Sequence, residues 1–103
     1  MDYIISIEWQ IGKLNIHLLK VDSSILFTYK IDSIYDKHTI ETVLDCAVNN
    51  DYKTLVDLFK KRYNLDHSTI RFSWGYSIRC MMKNNHNDNK NYNKGESKKW
   101  QKL

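Results

Sequence analysis

The chain has 103 residues, 42% of them hydrophobic, and a formal net charge of +4, which leaves room for one domain around one hydrophobic core. No stretch approaches the roughly 18–20 apolar residues of a transmembrane helix, and the N-terminal segment does not resemble a signal peptide, so we expect a cytoplasmic protein that enters no membrane. Cys46 and Cys80 are isolated and occupy apolar positions, which indicates two free thiols in a reducing compartment.

The charges divide the chain into two parts. Residues 1–82 contain equal numbers of basic and acidic residues, whereas residues 83–103 contain six lysines against Asp88 and Glu96. We therefore predict an α+β globular domain over residues 1–82. Residues 83–103 form a basic, Asn/Lys-rich tail that we expect to be flexible unless it is bound.

The first part of the domain has the pattern of a β-meander. Apolar and polar residues alternate over residues 3–11, 14–18 and 25–31, the period of a strand with one buried face. Gly12-Lys13 suits a two-residue hairpin turn, and residues 22–24 supply a second turn. Three antiparallel strands are therefore predicted.

The period then changes to that of amphipathic helices. Apolar residues over 40–48 and again over 55–63 recur at three- and four-residue spacing, which predicts two helices. Capping residues are expected at both helices: Asp36 or Thr39 and Asp51 at the N-termini, and Asn64 as a left-handed end of the second.

The segment Ile70–Met82 alternates throughout and predicts one long strand, with a bulge, a bend or a turn at Gly75. Its rings, Phe72, Trp74 and Tyr76, share a face with the aliphatic residues of the segment. We therefore interpret them as core residues rather than as a stacking platform for bases.

These elements predict a two-layer α+β sandwich: a three-stranded antiparallel meander, two helices on one face, one long C-terminal strand and the tail. This packing would bury every apolar stripe of the strands. The order also resembles the start of an RNase H-like nuclease or an actin-like ATPase, with Glu8 as the acid of the first strand. Metal-dependent cleavage needs several carboxylates, and the predicted fourth strand has none.

Other catalytic and cofactor motifs are missing from the sequence. The three glycines are too dispersed for a phosphate-binding loop, and no histidine has the spacing of a zinc ligand relative to a cysteine. We therefore predict no catalytic residue, no metal and no cofactor, and a protein that is not an enzyme.

The tail favours a binding protein whose partner is nucleic acid or a nucleoprotein, because clustered lysines attract phosphate without sequence specificity. The alternative is that the tail has no binding role and is a solvated, solubilising segment. The tail residues assigned to nucleic-acid binding are Lys83, Lys90, Tyr92, Lys94, Lys98, Lys99, Trp100 and Lys102.

An inhibitor that acts by protein contact is the alternative function. The Ile-, Asn- and Lys-rich, proline-free composition is typical of low-GC genomes, and a phage, viral or mobile-element antagonist of host defence matches the small size. Such a protein would bind its partner, or a second copy of itself, through the outer face or an edge of the sheet. The residues assigned to this surface are Glu8, Gln10, His17, Arg71 and Arg79.

Overall fold

The computed structural model describes the backbone of residues 2–91 and the side chains of residues 2–84. The elements in chain order are β1 (Asp2–Gln10), β2 (Lys13–Asp22), β3 (Ile25–Ile34), α1 (Lys37–Val48), α2 (Tyr52–Tyr63), β4 (Thr69–Trp74) and α3 (Tyr76–Asn91). None of the described helices is long and apolar enough to cross a membrane.

The four strands form one mixed sheet in the order β3-β2-β1-β4. β1 pairs antiparallel with β2 and β2 pairs antiparallel with β3, which confirms the predicted meander. β4 joins the other side of β1 in parallel, with Ile5 opposite Phe72. A parallel neighbour requires a long crossover, and α1 and α2 provide it.

One face of the sheet and the helices enclose the core. Ile5 and Ile7 of β1 and Ile16 of β2 are fully buried, and so are Leu44 of α1 and Phe59 of α2. This arrangement confirms the predicted α+β class with a helical layer on one side of the sheet.

The helix ends follow the predicted capping chemistry. Asp36 accepts a hydrogen bond from the Thr39 backbone N–H at 2.8 Å, and Asp51 accepts one from the Thr54 backbone N–H at 3.3 Å. Asn64 ends α2 in the left-handed conformation, with φ 60° and ψ 49°. Local sequence therefore sets the ends of both helices.

The predicted long strand over Ile70–Met82 is divided at Gly75, and its second half is helical. The Gly75 backbone N–H donates to the Ile7 carbonyl at 2.7 Å, and a Cβ at this position would lie 2.7 Å from Cγ of Glu8. The chain therefore passes too close to β1 for any larger residue. α3 begins directly afterwards and packs against α1 and β1.

The expectation that every apolar stripe is buried is wrong for β3. Ile25 is 65% exposed, Phe27 42%, Tyr29 52% and Ile31 64%. Two causes act together. The register between β2 and β3 shifts at Leu18/Leu19, which turns Ile31 to the face opposite the helices, and the helical layer leaves the beginning of β3 uncovered.

Candidate functional site

The outer face of the sheet, opposite the described helices, is an open surface. Strand pairing sets its side chains in rows across the sheet. One such row runs from Thr28 through Leu19 and Ile4 to Arg71. The next row runs from Ile31 through His17 and Ser6 to Ser73.

An apolar strip crosses part of this face. Leu26 is 54% exposed and Ile31 64% exposed, and both lie on β3 at the edge of the sheet. Val21, Leu19 and Ile4 continue the strip towards β1 and are half-buried among their neighbours. The strip therefore offers a continuous apolar surface that reaches from an edge strand to the centre of the sheet.

Polar and charged side chains lie beside the apolar strip and beyond it: Arg71 pairs with Ile4 and His17 with Ile31, whereas Glu8 and Gln10 lie farther along β1. Glu8, Gln10 and His17 are exposed on β1 and β2, and Arg71 is exposed on β4. Acidic and basic groups are both present, so these polar groups have no single sign of charge. An apolar centre with a polar border is the usual anatomy of a protein–protein interface.

Four of the five residues that the sequence assigned to this surface lie on it, namely Glu8, Gln10, His17 and Arg71. Arg79 does not, because residues 76–91 form a helix and Arg79 lies exposed on α3. Met81, which an uninterrupted strand over Ile70–Met82 would place on the outer face, is buried in the core at 4% exposure.

The sequence did not single out Ile4 or Val21, and it assigned Ile31 to the opposite face. Pairing across β2 makes the strip continuous, and the register shift brings Ile31 into it. Neither feature has a local sequence signal. The apolar residues at otherwise polar positions of the strands, such as Leu19, were the only available indication.

A polar cluster joins β3 to α2 on the helix side of the sheet. Oδ2 of Asp32 accepts a hydrogen bond from the Tyr63 hydroxyl at 2.8 Å and one from Nε of Arg62 at 3.3 Å. Oδ1 of Asp32 accepts from the Ser33 backbone N–H at 2.8 Å. All three donors favour an ionised carboxylate.

The pKa shifts of Asp32 and Tyr63 indicate that this cluster links β3 to α2. Burial acts to raise the pKa of Asp32, but the hydrogen bonds from Tyr63, Ser33 and Arg62 outweigh it and hold that pKa below its usual value. Burial and the neighbouring carboxylate both raise the pKa of the Tyr63 hydroxyl far above its usual range. At neutral pH the carboxylate is charged and the phenol keeps its proton, so the pair holds β3 against α2.

The aromatic residues of β4 face α2 rather than the open face. The Phe72 ring lies 5.8 Å from the Phe59 ring and 5.5 Å from the Trp74 ring, measured between centroids. Tyr52 stacks on Phe72 at 6.2 Å and borders an open groove of about 410 Å³. Phe72 and Trp74 are half-buried against the core, as predicted, but the same prediction is wrong for Tyr76, which is 75% exposed at the start of α3.

Of the residues assigned to nucleic-acid binding, the structure describes the side chain of Lys83 alone. Lys83 is exposed on α3, and Lys90 lies on the same helix where only the backbone is described. The remaining assigned residues lie outside the described part of the chain: Tyr92, Lys94, Lys98, Lys99, Trp100 and Lys102.

Metal-binding groups and thiols are the remaining reactive side chains of the described residues. No group of three His, Cys, Asp or Glu side chains among them lies close enough to hold a metal ion. Cys46 is buried and Cys80 half-buried, and both are free thiols. Burial, with Asp51 and Asp45 nearby, raises the pKa of the Cys46 thiol, which makes it less reactive.

Comparison with known proteins adds no relative to this description. No protein-family model, no curated protein and no solved structure matches the chain.

Proposed function

We propose that this chain is a non-enzymatic binding protein that docks a protein partner through the outer face of its sheet. The observation that supports the proposal is the apolar strip from Leu26 to Ile4, open along its length, with polar groups of both charges beside it and beyond it. Burying such a strip gives association its main favourable contribution, and the polar groups supply orientation.

The partner class fits the chemistry of the surface. Leu26, Leu19 and Ile4 offer aliphatic side chains to a partner, which suits apolar protein side chains. Arg71 lies beside the strip and Glu8 beyond it, and both would pair with groups of opposite charge on the partner. An excess of basic groups, which a nucleic-acid surface requires, is missing from this face.

The proposed setting is the cytoplasm, where free thiols such as Cys46 and Cys80 persist. Within it, an inhibitor made by a phage, a virus or another mobile element is the role that best fits a small protein of low-GC composition. Such an inhibitor would act by occupying a surface of a host protein, as in the docking proposed above.

Two neighbouring residues of β3 give a matched test of this docking. Leu26 lies on the outer face and Ile25 on the helix side, and they are 54% and 65% exposed. Leu26→Lys should abolish capture of the partner from a lysate of the source cells, whereas Ile25→Lys should preserve it. Circular dichroism and thermal unfolding would establish that both variants are folded.

Nuclease treatment of the same lysate separates protein contact from a nucleic-acid bridge. Docking through the outer face predicts that the captured partner stays bound after nuclease. Loss of the captured partner after nuclease treatment would refute docking through this face. Equal loss of capture in the Leu26→Lys and Ile25→Lys variants would also refute it.

Nucleic-acid binding by the tail is the second candidate, and the segregation of charge favours it. The net charge of +4 arises wholly from residues 83–103, while residues 1–82 are neutral overall. Lysines at such density bind phosphate by releasing counterions, so affinity falls as salt rises.

A full-length variant in which Lys94, Lys98, Lys99 and Lys102 become Gln tests the tail. Its affinity for single-stranded DNA should fall, and the slope of log K against log salt should become shallower by up to about 3, at roughly 0.7 for each lost phosphate contact. The control changes four body lysines to Gln: Lys13, Lys30, Lys37 and Lys53. Equal losses in both variants would rule out the tail as the binding segment.

A further inference from the structure

The free edge of β3 is a second surface of the molecule, which adjoins the outer face and shares Leu26 with it. Among the described strands, β3 pairs only with β2, so the backbone groups on its other side have no strand partner. Edge strands in this state are templates for another strand. The stretch Ile25–Tyr29 is exposed throughout, with Phe27 at 42% and Tyr29 at 52%.

The usual protective features are missing from this stretch. No charged residue lies between Asp22 and Lys30, and no proline or glycine interrupts the strand. The irregularity in β3 comes only after Thr28, where Leu19 pairs with Thr28 and Leu18 with Lys30. Four consecutive residues, Ile25 to Thr28, therefore keep a regular edge free of charge, proline and glycine, and the bulge falls at Tyr29, at the end of the stretch.

The stretch is also complementary to itself. If two copies run antiparallel about an axis at Phe27, Phe27 meets Phe27, Ile25 meets Tyr29 and Leu26 meets Thr28. Ile25 and Phe27 lie on the helix side, and the Tyr29 ring joins them there, 5.7 Å from the Tyr3 ring. Leu26 and Thr28 lie on the outer side, so every pair matches in face, as a two-fold interface requires.

We propose that a second copy of this chain occupies the edge, pairing antiparallel through residues 25–29 and joining two four-stranded sheets into one. No charge lies within the paired stretch. Lys30 directly follows the stretch and would lie opposite Ser24 of the second copy, and Lys20 lies on the neighbouring strand with its Nζ 5.5 Å from the Tyr29 ring centroid. The two Lys20 strands would be three strand spacings apart, about 14 Å at roughly 4.8 Å each, and repulsion at that distance is largely screened.

The size of the contact sets the expected strength. Four large, half-exposed side chains at about 100 Å² each would bury roughly 400 Å² per copy, below the approximately 800 Å² of a standard interface. We therefore expect a dimer that dissociates on dilution rather than a permanent one.

Sedimentation velocity of the full chain over a concentration series tests the proposal. The wild-type protein should show a reversible monomer–dimer equilibrium, and Phe27→Lys should weaken it by at least about tenfold. The matched control is Ile11→Lys, which changes an apolar side chain that is 92% exposed at the opposite end of the sheet. A monomer at all concentrations, or equal effects of both variants, would overturn the proposal.

Cross-linking tests the two-fold axis directly. Phe27→Cys in a Cys80→Ser background should form a disulfide dimer under mild oxidation, because the two introduced thiols would face each other across the axis. Ile11→Cys in the same background should not. If the thiol at position 27 neither cross-links nor reacts with a maleimide, another segment of the chain covers the edge and the dimer is refuted.

Discussion

At the scale of single residues, Asp32 has the most defined role in the described part of the chain. Strand alternation gives no reason for a carboxylate on the helix side of β3. The fold provides one, because the Tyr63 hydroxyl and Nε of Arg62 both donate to it from the last turn of α2. The sequence therefore identified the helix that carries the donors but could not place the acceptor beside them.

The stability that Asp32 contributes should depend on pH. Its pKa is lowered in the folded state, so the contribution is present above the unfolded pKa of about 3.9 and is lost as pH falls through the folded value. Asp32→Asn should therefore lower the free energy of unfolding in urea at pH 7 and have less effect at pH 3.

The exposed Asp57 on α2 supplies the control for this prediction. Asp57→Asn should change the free energy of unfolding little at either pH. If Asp32→Asn destabilises the protein as strongly at pH 3 as at pH 7, the ionised carboxylate is not what holds β3 to α2.

Tyr63→Phe removes one donor to the carboxylate and keeps the ring. A hydrogen bond to a charged group contributes about 1.5–3 kcal/mol, so we expect a loss of unfolding free energy of about that size at pH 7. Arg62→Gln should cost less than about 1 kcal/mol, since the Arg62 side chain is 37% exposed. Urea unfolding of both variants measures the difference, and equal or reversed costs would contradict this assignment.

At the scale of elements, the sequence predicted most of the fold. Period-2 and helical patterns located β1, β2, β3, α1 and α2, because each of these segments has an unambiguous period, even though β3 does not bury its apolar stripe. Asp51 and Asn64 also cap the two ends of α2 as expected, since capping depends on local backbone geometry alone.

The sequence pattern predicted the wrong secondary structure for the segment after Gly75. Ile78, Cys80 and Met82 alternate as in a strand, yet Ile78, Met81 and Met82 also have helical spacing, and short apolar runs satisfy both periods. The structure selects the helix, with Ile78 fully buried and Met81 4% exposed.

Two adjacent methionines discriminate between these alternatives. In the helix Met81 is buried and Met82 only half-buried, whereas a continuing strand would bury Met82 and expose Met81. Met81→Ala should therefore lower the free energy of unfolding by about 2–5 kcal/mol, and Met82→Ala by clearly less. Chemical denaturation measures both, and the reverse order would restore the long strand.

At the scale of the whole molecule, the arrangement of layers determines which surfaces remain free. The helices cover one face of the sheet from β4 to β2, so the beginning of β3 projects with both faces exposed. Sequence reasoning identified the polar residues Glu8, Gln10, His17 and Arg71 of the outer face. It also placed Leu19 and Leu26 there, but it did not place Ile4, Val21 or Ile31 in the apolar strip, because strand order and the register shift depend on contacts between distant segments.

The distribution of net charge along the chain is also a property of the whole molecule. Residues 1–82 are neutral overall and the tail carries +4, so the proposed docking by the outer face and the proposed phosphate binding by the tail rest on different residues. Under these two proposals, variants of Leu26 should change the affinity for the protein partner, and variants of the tail lysines should change the affinity for nucleic acid.

The most direct test of docking through the outer face is the affinity for the captured partner, measured by isothermal titration calorimetry. Leu26→Lys should weaken binding by at least about 30-fold, the loss of roughly 2 kcal/mol typical of a residue that dominates an interface, and Ile25→Lys should bind as the wild type does. If folded Leu26→Lys protein binds within about twofold of wild type, or Ile25→Lys loses as much affinity, the outer face is not the docking surface.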